Sequence, residues 1–95
     1  MQLEIITPET LIFKGEATAV QFPGLDGSFQ VLNNHAPIIS GLAAGTIKAD
    51  LAEAIKAGGK TNPHITTENH GKIIRVVVKG GVMEMQNNKI IVLAE

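Results

Sequence analysis

Three groups of residues have types and spacing that invite a chemical reading. Gly58-Gly59-Lys60-Thr61 ends like a loop that cradles phosphate, which requires a glycine five positions before Gly59 and a helix opening behind the loop to aim its amides at the anion. Ala54 stands at that earlier position and Asn62-Pro63 follows, so pattern and mechanism are both incomplete and the stretch reads as a polar loop. His64, Glu68 and His70 are metal-ligand types. Their spacing matches no zinc pattern, and a loop this polar offers nothing to orient ligands, so they read as solvated side chains. His35, between Asn34 and Ala36-Pro37, would serve as a general base only beside a nucleophile and an orienting carboxylate. Asp26 and Glu84 are the carboxylates considered, and no nucleophile motif accompanies them. His35 therefore reads either as a turn residue bonded to nearby backbone or as a contact at a protein interface. No catalytic residue, metal site or cofactor site is expected.

Bulk properties narrow the classes further. The chain has 95 residues with 8 Lys and Arg against 9 Asp and Glu, a net charge of −1. Such a balance argues against nucleic acid, which needs a basic stripe to displace counterions, and against a polybasic membrane anchor. There is no cysteine, hence no disulfide framework and no thiolate chemistry. Three Phe without Trp or Tyr leave few platforms on which bases or sugars would stack. Met1 runs straight into Leu3-Glu4-Ile5-Ile6 with no charged leader and no long apolar run. The expectation is a cytoplasmic chain of one domain, residues 1–95, without membrane insertion.

The elements that must position these residues are strands. Leu3 and Ile5 alternate with Gln2 and Glu4 up to Pro8, and Leu11-Ile12-Phe13 opens a second run in which Thr18, Val20 and Phe22 are expected on one face. Pro23-Gly24 breaks it. Phe29 with Val31, a short Ile38-Ile39 pair, and Ile47 with Ala49 continue the pattern. Residues 73–78, Ile-Ile-Arg-Val-Val-Val, are β-branched at five of six positions, the strongest strand signal in the chain. Met83 and Met85 alternate with Glu84 and Gln86, and Asn87-Asn88 supplies a two-residue hairpin turn. Met83 and Met85 are core fillers on this pattern, and Glu84 faces solvent. Asp50 to Ala57 has good helix formers, with Leu51 and Ile55 one turn apart. It is too short to stand alone, and residues 51–71 read as a long hairpin connection that contributes little to stability. The fold class is all-β: a flattened sandwich of short, mostly antiparallel strands.

Taken together, Leu3-Glu4-Ile5-Ile6-Thr7-Pro8-Glu9, Phe13-x-Gly15-Glu16, the Pro23-Gly24 turn, Gly27-x-Phe29-x-Val31, His35-Ala36-Pro37-Ile38, Gly80-Gly81 and the closing Val92-Leu93-Ala94-Glu95 resemble the N-terminal sandwich of the epsilon subunit of F-type ATP synthases. The resemblance runs from Leu3 to Glu95, interrupted at 51–71. It implies a non-catalytic rotor subunit with no cofactor, peripheral on the cytoplasmic face of the bacterial inner membrane, joining the gamma subunit to the c ring of a proton-translocating enzyme. It places Asp26, Gly27, Ser28 and Phe29 in the loop facing the c ring, and Thr7 and His35 toward gamma. Relatives commonly carry a second acidic residue where this chain has Ser28. Family members also commonly continue into a two-helix hairpin that brakes hydrolysis and in some binds ATP. By the same resemblance this chain is expected to lack that hairpin, and so to bind no ATP.

A reading from another class is a small β-barrel that encloses a ligand. It needs an apolar cavity, and 95 residues with ten Gly leave little room for one.

Overall fold

The computed structural model describes residues 1–55 and 63–95. Its strands are β1 (Gln2–Ile6), β2 (Leu11–Gly24), β3 (Gly27–Leu32), β4 (Ile38–Leu42), β5 (Gly45–Leu51), β6 (Ile65–Glu68), β7 (Ile73–Val78), β8 (Gly81–Gln86) and β9 (Lys89–Ala94). Every pairing is antiparallel except β1 against β9, which is parallel.

β2 joins the two layers. Its first half, from Leu11 to Glu16, pairs with β1, and its second half pairs with β5 on one side and β3 on the other. One layer is thus β4-β8-β9-β1 with the start of β2, and the other is β3, the end of β2, β5, β7 and β6. A single apolar core lies between them. Leu3, Ile5, Phe22, Ile47, Ile74, Met83, Met85, Ile90 and Val92 are all at most 1% exposed, and among the described residues no buried polar side chain accompanies them. Strict alternation drives this: β7 buries Ile74, Val76 and Val78, and β9 buries Ile90, Val92 and Ala94.

The regular register breaks at two places on β2: at Ile12, skipped between Leu11 opposite Ile6 and Phe13 opposite Ile5, and at Thr18. Ala19 and Val20 are consecutive and yet both buried, because Ala17 opposes Leu51 and Ala19 opposes Asp50 on β5, which leaves the exposed Thr18 without an opposite residue. Thr18 is the extra residue of a β-bulge, which bends β2 and exchanges its inward parity. Its hydroxyl donates to Asp50 O at 3.3 Å. Thr18 does not share a face with Val20 and Phe22, as the period-2 reading expects. That reading assumes a regular strand, and a bulge between the halves of β2 breaks it.

The 51–71 connection also departs from expectation. It carries β6, an edge strand on β7, and a 3-10 turn at Asn69–Gly71. No helix starts at Asp50: that residue and Leu51 end β5. Leu51 is 5% exposed inside the core, and Ile55 packs against the core from outside. The backbone pins Ile55 there, its N–H donating to Gly71 O at 2.9 Å. Gly71 takes φ +84°, and a Cβ on it would stand 2.4 Å from Ile55 O, so glycine is required by both conformation and space. β4 runs on to Leu42, longer than the Ile38-Ile39 pair suggests.

Candidate functional site

The Asp26 loop is the tip of the β2–β3 hairpin. Gly24 and Gly27 pair across it, leaving Leu25 and Asp26 as the two turn residues. Gly27 has φ +118°, a conformation that side chains strain to reach. Gly24 is needed for closeness: a Cβ there would lie 2.6 Å from Gly27 O and 2.9 Å from the Phe29 ring. Asp26, Gly27 and Ser28 are exposed. Phe29 is different, since its ring turns inward and stacks on Phe22 with centroids 5.5 Å apart. Of the four residues assigned to this loop, three present themselves outward and Phe29 anchors the hairpin.

β4 braces the loop. Leu25 N–H donates to Gly41 O at 3.3 Å and Ala43 N–H to Pro23 O at 2.8 Å. The Leu25 side chain lies over Gly41, whose missing Cβ would meet its Cδ1 at 2.7 Å. An open depression of about 470 Å³ runs beside the tip, bounded by Asp26, Ser28, Phe29, Ile39 and Ser40 among others.

Thr7 closes the β1–β2 turn. Its N–H donates to Thr10 O at 2.8 Å, its hydroxyl donates to the same oxygen at 3.2 Å, and Thr10 N–H donates to Thr7 Oγ1 at 3.1 Å. This hydroxyl is engaged in turn geometry.

His35 is exposed on the β3–β4 connection, its N–H donating to Leu32 O at 3.1 Å and its Nδ1 lying 2.8 Å from Ala36 O. Asn34 beside it takes φ +61° and donates its N–H to Asn88 Oδ1 at 2.8 Å. The His35 turn is thereby tied to the β8–β9 hairpin, where Asn87 and Asn88 take φ +52° and +58° as a type I′ turn requires.

Thr7 and His35 do not meet. Asn88 O accepts Gln2 N–H at the start of β1, whereas Thr7 follows Ile6 at its end. The length of β1, roughly 16 Å at the rise of a strand, lies between them. Thr7 instead shares an end of the molecule with the Asp26 loop, through Ile6 opposite Leu93, Leu93 opposite Val82, and Val82 opposite Gly41.

The remaining candidates fall away from these places. Glu68 pairs with the Arg75 guanidinium on β7. No group of three or more His, Cys, Asp or Glu converges among the described residues. The Gly58-Gly59-Lys60-Thr61 stretch lies outside the described residues.

Comparison with known proteins gives a consistent result. The family model of the ATP synthase Delta/Epsilon chain beta-sandwich domain matches residues 1–56. An ATP synthase epsilon chain of Chlorobium limicola is 33% identical over 94 residues, covering 99% of this chain and 88% of its own length. That of Chlorobaculum tepidum is 36% identical, covering 98% and 86%. The epsilon chain of Desulforamulus reducens is 34% identical over 99% of this chain, which spans only 58% of that longer relative. In fold, the chain superposes with TM-score 0.70 and 14% identity on a chain in the cryo-EM structure of the Tetrahymena thermophila mitochondrial ATP synthase central stalk and c ring, covering 99% of this chain and 62% of the other.

Proposed function

The chain belongs to the delta/epsilon family of ATP synthase β-sandwich domains, and from that membership we propose that it is a non-catalytic central-stalk subunit of a proton-translocating F-type ATP synthase. The observation that carries the reading is similarity along nearly the whole chain to epsilon chains of which it spans 86–88%. The work is mechanical: the chain joins the gamma subunit to the c ring, so that ring rotation reaches the catalytic head as torque. It is peripheral, on the cytoplasmic face of the membrane.

The fold suits that work. Torque passing through a soft link would be stored as deformation, and this body has few soft links among the described residues. β2 is shared by both layers, β1 is held by β9 on one side and by β2 on the other, and the core has the close packing of a protein interior. In this reading the tip at Asp26, Gly27 and Ser28 rests on the polar loops of the c ring. A two-residue turn braced by β4 is a short, stiff contact, and Asp26 offers a charge to meet a cation there. Thr7 and His35 mark the gamma-facing region, at the two ends of one sheet face rather than at one spot.

The test is isolation of the ATP synthase from the source membranes under mild detergent. The reading expects one copy of this chain per complex, retained with gamma and the c ring when the catalytic head is stripped away. Loss of the chain with the head, or its absence from the complex, would contradict it.

A further inference from the structure

The His35 ring is pinned at one nitrogen and open at the other. Its turn is held at three points: Asn34 N–H donates to Asn88 Oδ1 at 2.8 Å, His35 N–H donates to Leu32 O at 3.1 Å, and Asn88 O accepts Gln2 N–H at 3.1 Å. Pro37 restricts Ala36 before it to extended backbone and so limits the directions open to the Ala36 carbonyl. His35 Nδ1 lies 2.8 Å from that carbonyl oxygen. The side chain is exposed, and nothing among the described residues engages Nε2.

A carbonyl oxygen only accepts, so the hydrogen of a neutral His35 ring sits on Nδ1. The other tautomer would set two lone pairs against each other at 2.8 Å. Nε2 is then left as an acceptor on the far side of an exposed ring. Protonation turns that atom into a donor and leaves the Nδ1 bond as it was. Acid thus reverses the hydrogen-bonding sense of one exposed atom without disturbing its turn. The charged groups on the elements that meet the turn are the Met1 amine, Glu16, Glu84 and Lys89. Glu16 pairs with the Met1 amine at 3.5 Å, Lys89 pairs with Glu4 at 3.7 Å, and Glu84 shares an open depression with Lys89. Among the described residues none of them forms an ion pair with His35.

We infer that His35 Nε2 accepts a hydrogen bond from an N–H or O–H donor on the stalk partner, and that acid breaks this contact. The inference rests on the stalk reading, in which the partner is the gamma subunit. A pinned ring suits the role, because its orientation is set before binding and little side-chain freedom is lost at the contact. A carboxylate or carbonyl opposite Nε2 does not fit. It would face the lone pair of a neutral ring, the form that exposed imidazoles mostly take above pH 7. In acid the partner's donor meets a second donor and is left unpaired at the interface, which costs more than the lost bond alone.

The experiment has two arms, the first on the chain alone. Long-range proton–nitrogen NMR spectra distinguish the ring tautomers, and His35→Gln identifies the His35 signals among the three histidines. Nδ1–H is expected in the neutral ring, and Nε2–H would overturn the inference. The second arm measures the Kd for gamma from the same cell by calorimetry, from about pH 8 to about pH 5.5. Melting curves of both proteins across that range are the folding control. Binding by the unaltered chain is expected to weaken about fivefold or more in acid. His35→Asn keeps a donor for Ala36 O but nothing at the reach of Nε2, and should bind about fivefold more weakly at the upper pH. His35→Gln carries an oxygen near that reach which does not titrate. It should bind with an affinity between those two at the upper pH and lose most of the pH dependence. Binding that tightens in acid would put a carboxylate opposite Nε2 and overturn the inference, as would a pH dependence that His35→Gln retains in full. If the unaltered chain does not bind gamma at any pH, the stalk reading itself fails and takes the contact with it, whichever tautomer the spectra show.

Discussion

Asn34 donates its backbone N–H to the Asn88 side-chain oxygen at 2.8 Å, joining two turns 54 residues apart in sequence. Asn88 does two jobs: it holds a left-handed conformation that closes the β8–β9 hairpin, and it fixes the backbone that presents His35. Replacement separates them. Asn88→Gly keeps the turn and loses the acceptor, an expected destabilisation of about 1 kcal/mol. Asn88→Ala also forces an alanine into the left-handed region and is expected to cost about 2 kcal/mol in all. Urea unfolding of the two variants checks both values. Equal stability of the two would show that conformation carries no part of the effect.

Leu51 tests whether the connection after β5 belongs to the core. Its side chain is 5% exposed, and truncation of a buried leucine leaves a cavity the surroundings fill only in part. Leu51→Ala is expected to lose about 3 kcal/mol in urea unfolding, with the transition still cooperative. A loss below about 1 kcal/mol would mean that the connection contributes little to stability, as the sequence pattern expects.

Gly71 carries the other end of that connection. Any side chain there must adopt φ +84° and press on Ile55 O. Gly71→Ala is expected to destabilise by more than about 1 kcal/mol, and hydrogen exchange at the Ile55 amide should rise in step as its bond to Gly71 O opens. Unchanged protection at Ile55 would contradict the coupling.

The Glu68–Arg75 pair is expected to matter little. Both side chains are more than 40% exposed, so water and salt screen the attraction. Glu68→Gln should change stability by less than about 1 kcal/mol, and the difference should vanish in molar salt. A larger, salt-independent effect would mean that the pair is shielded from solvent.

Most strands were legible because burial on a two-layer sandwich imposes period 2 on the chain: Leu3 and Ile5, and Met83 and Met85, face inward as their alternation says. The turn at Asn87-Asn88 was legible for a local reason, since few residues tolerate positive φ in succession. Thr18 was misread because a bulge is a property of pairing, visible only once Leu51 and Asp50 are known to oppose Ala17 and Ala19. β6 was missed because Ile-Thr-Thr-Glu at an edge buries little and so shows little pattern. Helix propensity at 50–55 lost to the hydrogen bonds of β5 and to burial of Leu51, as tertiary context commonly overrides it. That the exposed Val82 and Leu93 lie side by side was hidden for the same reason as the bulge. Each residue looks unremarkable on its own strand, and only the register sets them side by side.

The central claim, that the chain turns with the rotor, is tested most directly by tying it to gamma. The chain has no cysteine of its own, so His35→Cys introduces a single thiol that can be oxidised against a cysteine placed on the facing surface of gamma in the assembled enzyme. A bond between two parts that rotate together leaves the torque path intact. ATP-driven proton pumping by membranes carrying the cross-linked enzyme is therefore predicted to match that of the reduced enzyme. Pumping that falls in proportion to the cross-link yield would contradict the account, because it would mean the bond joins a part that turns to one that does not.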